Sequence, residues 1–261
     1  MLGAIAGDVI GSVHEKAGTK TKGFPLFHEY CRVTDDTVLT CAVAEKLLHG
    51  GEYVDLFHEY VREYPTAGYG GTFVRWVTRK DREPYNSWGN GSAMRVSPVG
   101  VFFDSLDEVV AEAERSAAVT HNHPEGVKGA QAVAVAVYLA RTGHDKPAIK
   151  AHIEGAYGYN LSERLDDIRA VYGFDVSCQG SVPQSIVAFL ESTDYEDAVR
   201  NAISLGGDAD TMACIAGAIA EPFYGGVPDH IRRPVLDVLD DRLEGVVTEF
   251  YAKFGSRLLG A

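Results

Sequence analysis

Basic residues are in short supply in this chain. Its 261 residues carry 24 Lys and Arg against 37 Asp and Glu, a net charge of −13 at neutral pH. No basic stripe exists to offset phosphate repulsion, which argues against a nucleic-acid backbone as a general partner. A negatively charged ligand therefore needs a local cationic device, and bound metal ions would serve. Cysteine is scarce too. Cys31, Cys41, Cys178 and Cys214 form no Cys-x-x-Cys pair, and Cys41 and Cys214 lie inside apolar helical runs, so they read as buried thiols. No stretch approaches the roughly 18 apolar residues of a membrane span. The first residues lack a basic n-region and meet an acid at Asp8, which is not the pattern of a signal peptide. A cytosolic location is expected. Neither a dinucleotide fingerprint nor a P-loop is present, and strand alternation bounded by hairpin signals is nowhere convincing. No linker or low-complexity tract divides the chain, so one all-α domain over residues 1–261 is expected.

What the chain does have is two acidic helix mouths. In Gly206-Gly207-Asp208-Ala209-Asp210-Thr211-Met212, two carboxylates and a hydroxyl open the apolar run that ends at Ala220. Asp208 is placed as an N-cap, and Asp210 and Thr211 fall in the first turn. Capping needs one oxygen acceptor, whereas this arc offers at least three, the donors that a hard divalent cation takes. A well-capped buried helix would explain the stretch taken alone. The pattern recurs, however, at Thr34-Asp35-Asp36-Thr37, which opens a helical run of Val38, Leu39, Ala42, Val43, Leu47 and Leu48 stopped by Gly50-Gly51. If the two mouths face each other, Thr34, Asp35, Asp36, Asp208, Asp210 and Thr211 concentrate more negative charge than can be held without cations. Four carboxylates suit two divalent ions. The absence of His and Cys from both mouths favours Mg²⁺ or Mn²⁺ over Zn²⁺.

Between these mouths lie segments with binding character. Residues 2–13 read as a small-residue helix in which Gly3, Ala4, Ala6, Gly7 and Gly11 let another helix come close. Glu15 follows at a helix-to-loop boundary and, by composition alone, is a surface carboxylate. The loop Lys16–Arg32 is glycine-bearing and able to move over a site. Ala67-Gly68-Tyr69-Gly70-Gly71-Thr72 feeds a helix over Phe73–Thr78, a weak phosphate-cradle signal. Tyr85-Asn86-Ser87-Trp88-Gly89-Asn90-Gly91-Ser92 is polar and punctuated by glycine; Ser87, Asn90 and Ser92 can bond a sugar or phosphate and Trp88 can stack on a base or anchor the loop. Thr120-His121-Asn122-His123 lacks a third zinc ligand at a recognisable spacing. Further helices are expected at Tyr53–Val61, Leu106–Ala118, Val127–Leu139, Pro147–Tyr157, Leu161–Tyr172, Pro183–Glu191, Tyr195–Leu205 and Arg233–Lys253.

Together these motifs resemble the ADP-ribosylglycohydrolase family, the dinitrogenase-reductase-activating and ADP-ribosyl-acceptor hydrolases. The resemblance rests on Gly7-Asp8-Val9-Ile10-Gly11-Ser12 with Glu15 behind it, Thr34-Asp35-Asp36-Thr37, Gly89-Asn90-Gly91-Ser92-Ala93-Met94-Arg95, Thr120-His121 and Gly207-Asp208-Ala209-Asp210-Thr211, in that order across nearly the whole chain. It implies an orthogonal bundle of helices with a binuclear Mg²⁺ or Mn²⁺ site in a cleft that binds ADP-ribose. The implied metal ligands are Thr34, Asp35, Asp36, Asp208, Asp210 and Thr211. Glu15 matches the family's catalytic acid/base; Tyr69, Gly70 and Gly71 match the pyrophosphate-side loop. Ser87 and Asn90 match ribose and phosphate contacts, His121 a residue near the distal ribose, and Trp88 an aromatic near adenine. Some members carry an extra acid ahead of the Gly-Asn-Gly motif, where this chain has Asn86 and Ser87.

The implied reaction is hydrolysis of an N- or O-glycosidic bond at the anomeric carbon of the distal ribose, in an ADP-ribosylated protein or a small ADP-ribose conjugate. An arginine-linked acceptor is the first expectation, by family prevalence, and a monomer is expected. Phosphatases that use Asp-x-Asp place it after a strand of a parallel sheet, whereas Asp208-Ala209-Asp210 precedes a helix. A non-catalytic ADP-ribose-binding or structural protein on the same fold is the alternative.

Overall fold

The computed structural model describes residues 1–258. Among them the chain forms fifteen α-helices and a closing 3₁₀ turn at Gly255–Arg257; extended pairing is limited to one bridge between Gly89 and Ser177. The amino-terminal third holds α1 (Leu2–Gly11), α2 (Asp35–His49), α3 (Tyr53–Glu63) and α4 (Gly71–Thr78). Two short helices, α5 (Gly91–Met94) and α6 (Ser97–Phe102), lead into α7 (Leu106–Ala118) and α8 (Pro124–Arg141). Then come α9 (Lys146–Tyr157), α10 (Leu165–Val171), α11 (Cys178–Leu190), α12 (Tyr195–Ile203), α13 (Ala209–Phe223), α14 (Asp229–Leu236) and α15 (Asp241–Phe254).

The helix ends follow local side-chain chemistry. Ser105 Oγ accepts from the N–H of Glu108 and caps α7, while its hydroxyl donates to Glu108 Oε2. Asp145, Ser177, Asp194 and Asp240 cap α9, α11, α12 and α15 in the same way. The last of these corrects the expected helix Arg233–Lys253, which is two helices because Asp240 accepts from Leu243 N and starts a new one. His123 caps α8 through Nδ1, which accounts for the His-x-His pair without a metal. The helix expected to begin at Pro183 begins at Cys178, with the proline inside it. The expected Leu161–Tyr172 helix is shorter, Leu165–Val171.

The centre of the bundle is the contact between α1 and α13. Gly3, Gly7 and Gly11 recur every four residues and so line one face of α1. A Cβ at Gly7 would lie 2.1 Å from the Ala213 carbonyl oxygen, one at Gly3 2.3 Å from that of Gly217, and one at Gly11 2.5 Å from Asp210 Cα. Only hydrogen at these positions lets the two backbones touch. At the far end of the pair, buried Glu221 accepts from the Met1 amino group at 2.6 Å and from Gly3 N at 2.9 Å. The Ala/Val run of α8 is buried as a helix, with Ala132 through Val137 at 0% exposure. Packing of this apolar helix overrides the preference of its β-branched residues for strands. Cys41, Cys178 and Cys214 are buried free thiols, and Cys31 is half-buried. Among the described residues no helix is long and apolar enough to cross a membrane.

Candidate active site

The acidic mouths of α2 and α13 meet at one end of the α1–α13 contact. Thr34 is the N-cap of α2, its hydroxyl oxygen accepting from Asp36 N at 3.3 Å. A second capping group comes from α1. Asp8 Oδ1 accepts the Thr34 hydroxyl at 2.6 Å, and Asp8 Oδ2 accepts the N–H groups of Thr34 and Thr37, each at 3.1 Å, and the Thr37 hydroxyl. A carboxylate at 0% exposure is thus held against the positive end of α2 by four donors. Asp8 is the residue that motif reading left without a role. Its signal was an acid in the middle of an otherwise small and apolar helix, a position that burial permits only when the charge is matched.

Asp208 occupies the N-cap position of α13 but does not cap it. Its Oδ2 instead accepts from Asn90 Nδ2 at 2.7 Å, and the same amide donates to Ser181 Oγ at 3.2 Å. Asn90 thereby ties the Gly-Asn-Gly segment to the acidic cluster. Thr211 donates from Oγ1 to Asp36 Oδ2 at 3.4 Å, a direct bond between the two mouths. Asp35 stands at the rim, its N–H bonded to the Ala67 carbonyl at 2.9 Å.

The electrostatics of this cluster are those of a site short of positive charge. Burial, then the charge of Asp210, pushes the carboxyls of Asp8, Asp35 and Asp208 up from the usual carboxylate range. Burial and the neighbouring Asp8 push Asp36 well up. Oxygens of Asp8, Asp36 and Asp210 lie within 4.8 Å of one another, all three residues buried. The test of whether a cation fits is whether free acceptors remain. Asp8 has its lone pairs engaged by Thr34 and Thr37, so it orients the mouth of α2. Asp36 Oδ1, by contrast, is buried without a hydrogen-bond partner among the described residues. An all-oxygen donor set with an orphaned carboxylate oxygen fits a hard divalent cation.

These residues floor a cavity of about 410 Å³. Glu15, Thr34, Asp35, Asp36, Asp208, Asp210 and Thr211 line it. Glu15 is half-buried in the turn after α1, and burial, then the charge of Asp210, raises its carboxyl above the usual range against the opposing pull of Lys16 and Arg32. Gly70, Gly71, Thr72 and Phe73 also line it, where α4 begins without a side-chain cap. Its first-turn N–H groups therefore suit an anion.

The lining also includes Tyr85, Ser87, Gly89, Asn90, His121, Phe174 and Val176. Arg95, fully buried and also in the lining, donates from Nη2 to the Ser116 carbonyl and to Thr120 Oγ1, both at 3.0 Å. Thr120 accepts from it, and its Oγ1 lies 2.7 Å from His121 Nδ1, a hydrogen bond whose donor depends on the tautomer of the ring. Burial, then the charge of Arg95, holds the His121 ring well below its usual pKa, hence neutral.

Two expected site residues are not among those that line the cavity. Tyr69 is buried, its ring stacked at 5.7 Å on Phe73, which does line it. Trp88 is half-exposed, its indole set 5.7 Å from the ring of His123 and outside the cavity wall.

Residues 1–258 match the sequence pattern of ADP-ribosylglycohydrolase. The chain belongs to this family. It is 28% identical over 305 residues to the ADP-ribosylhydrolase ARH3 of Mus musculus, covering 86% of this chain and 82% of that one. It is 26% identical over 278 residues to the ADP-ribosylarginine hydrolase Tri1 of Pseudomonas putida, covering 87% and 71%. A solved structure described as an ADP-ribosylglycohydrolase-related protein complex matches with a TM-score of 0.68 at 26% identity, over 96% of each chain. The ADP-ribosylglycohydrolase fold is all-α, as the motifs implied, and the family makes this chain a hydrolase of glycosidic bonds that acts on ADP-ribosylated substrates.

Proposed function

We propose that the chain is a metal-dependent hydrolase that cleaves the bond between the distal ribose of ADP-ribose and its acceptor, with Glu15 as general acid/base. The observation that carries this reading is that Glu15 and both acidic mouths line one cavity. Thr34, Asp35, Asp36, Asp208, Asp210 and Thr211 would hold two divalent cations, Mg²⁺ or Mn²⁺. When bound, the ions supply the positive charge that grips ribose hydroxyls and orients the sugar.

The remaining work belongs to side chains and backbone. The uncapped N-terminus of α4, through the N–H groups near Gly70 and Gly71, receives the pyrophosphate. His121 presents a neutral imidazole, and Ser87 and Asn90 complete the polar lining. Glu15, whose carboxyl is raised above the usual range by burial and then by the charge of Asp210, delivers a proton to the leaving acceptor atom as the glycosidic bond breaks. It then takes a proton from the water whose oxygen bonds to the anomeric carbon. General acid–base help of this kind contributes about 10²–10⁴-fold, and positioning supplies the rest.

The acceptor is settled by release of free ADP-ribose from arginine-, serine- and O-acetyl-linked substrates, each with Mg²⁺, Mn²⁺ or EDTA. Metal-dependent release from one linkage, lost in an Asp208→Ala/Asp210→Ala double variant, establishes the reaction and names the acceptor. Binding of ADP-ribose without release from any linkage would favour the non-catalytic alternative.

A further inference from the structure

After the turn that carries Glu15 comes a lysine whose ammonium is fully occupied by main-chain oxygens. Lys20 Nζ donates to the carbonyls of Arg169 at 3.1 Å, Tyr172 at 2.5 Å and Leu205 at 2.5 Å. An ammonium has three donors, and all three are used. Arg169 and Tyr172 lie at the C-terminal end of α10, where carbonyls lack helical partners and carry the negative end of the dipole. Leu205 immediately precedes Gly206-Gly207-Asp208, the turn into α13.

Packing joins the same three pieces. Gly206, at φ +68°, lies so close to the loop that a Cβ there would sit 2.9 Å from Lys20 Cε and 3.1 Å from the Gly18 carbonyl carbon. A Cβ at Gly207 would meet the Tyr172 ring at 2.4 Å. Within the loop, the His14 Nδ1 to Thr19 Oγ1 contact of 2.9 Å closes the short span between α1 and Lys20. Further along, Lys22 pairs with Asp197, and Arg200 donates to the carbonyls of Lys22 at 2.8 Å and Phe24 at 2.7 Å. The loop Lys16–Arg32, read from its sequence as able to move over a site, is thus bonded to α10 and α12 at Lys20, Lys22 and Phe24. Among the described residues the span 13–19, which includes Glu15, makes no side-chain bond to either helix.

We propose that Lys20 is a positioning residue for Glu15, anchoring the C-terminal end of the short span that carries Glu15 against α10 and the turn that leads to Asp208. The inference rests on the reading of Glu15 given above. Lysine suits the task because its stem packs on Gly206 while its head satisfies three carbonyls that diverge in direction. Removing the head leaves those carbonyls to water and frees the turn.

The test compares Lys20→Met, which keeps the stem and removes the donors, with Lys20→Arg, which restores charge. Lys20→Met is expected to lower kcat by roughly 10- to 100-fold, the cost of a displacement of about 1 Å at the reacting group, with KM changed by less than about threefold. Lys20→Arg is expected to recover part of the loss. In a Glu15→Gln background the Lys20→Met change should cost less than about twofold more, because both act through one group. Hydrogen exchange of the unliganded protein supplies a readout independent of activity. Amides of residues 13–19 should exchange faster in Lys20→Met while those within α12 do not. Unchanged exchange in that span, or an undiminished kcat loss in the Glu15→Gln background, would overturn the proposal. Should Lys20→Met not fold, Lys20→Gln replaces it with the same expected outcomes. If Glu15→Gln alone keeps turnover within about threefold of wild type, it is the acid/base reading that falls, and the exchange result still decides whether Lys20 restrains the turn.

Discussion

Asp8 receives the Thr34 hydroxyl at 2.6 Å and the Thr34 N–H at 3.1 Å, so a residue of α1 caps the helix whose mouth carries Asp35 and Asp36. Asp8→Asn keeps the shape but turns an N–H₂ toward groups that themselves donate. Its expected effect is a loss of roughly 10- to 100-fold in Mn²⁺ affinity, as for other groups that orient metal ligands. Calorimetric titration of the variant with Mn²⁺ measures it. Unchanged affinity would mean that Asp8 does not orient the mouth.

Stability of the metal-free protein should fall as pH rises. The carboxyls of Asp8, Asp35, Asp36 and Asp208 are raised in the folded chain, so from the ordinary carboxylate range near pH 4 upward it holds more protons than the unfolded chain. By linkage, stability is then highest at the acid end of that window and is lost toward its upper end. Thermal melts in EDTA between about pH 5 and pH 8 should show Tm decreasing, with a shallower decrease in Asp36→Asn and recovery on adding Mg²⁺. A Tm independent of pH in EDTA would contradict the arrangement.

The glycine stripe on α1 makes a prediction about stability alone. Gly7→Ala places a methyl group 2.1 Å from the Ala213 oxygen, which forces α1 from α13 and should cost about 1–3 kcal/mol or more. Gly245 in α15 has nothing within 4 Å of a built Cβ, and Gly245→Ala should stabilise by about 0.5–1 kcal/mol. Urea midpoints of the two variants should move in opposite directions.

Thr120→Val removes the hydroxyl between Arg95 and His121 while keeping its volume. The His121 ring then loses its hydrogen-bond partner at Nδ1. ADP-ribose binding should weaken by about 1 kcal/mol, roughly fivefold, and the imidazole nitrogen resonances should report a changed tautomer balance. Resonances identical to wild type would show that Thr120 does not set the tautomer.

Much of the fold was legible locally. Caps such as Asp145 and Asp194, the glycine stop after His49 and the apolar periodicity of α2 announce their helices within a few residues. The expected Arg233–Lys253 helix was two because the capping potential of Asp240 competes with an apolar pattern that runs on through it, and periodicity alone does not rank the two. Asp208 looked like a cap and is one by position, yet its carboxylate is taken by Asn90, a residue 118 positions away. Tyr69 and Trp88 had the chemistry of ligand contacts, but side-chain direction depends on what each ring packs against. Tyr69 found Phe73, and Trp88 found His123.

The sequence by itself determined that the chain is helical, that two helices open on paired acids, and that α1 presents a face without side chains. Those properties depend on neighbours in the chain and on the helical period. Only the tertiary structure decided that the two mouths face one another, that Asp8 caps α2 from α1, and that Lys20 bonds to the end of α10. Each of these joins groups far apart in sequence, and their pairing is set by how closely the backbones of α1 and α13 can approach.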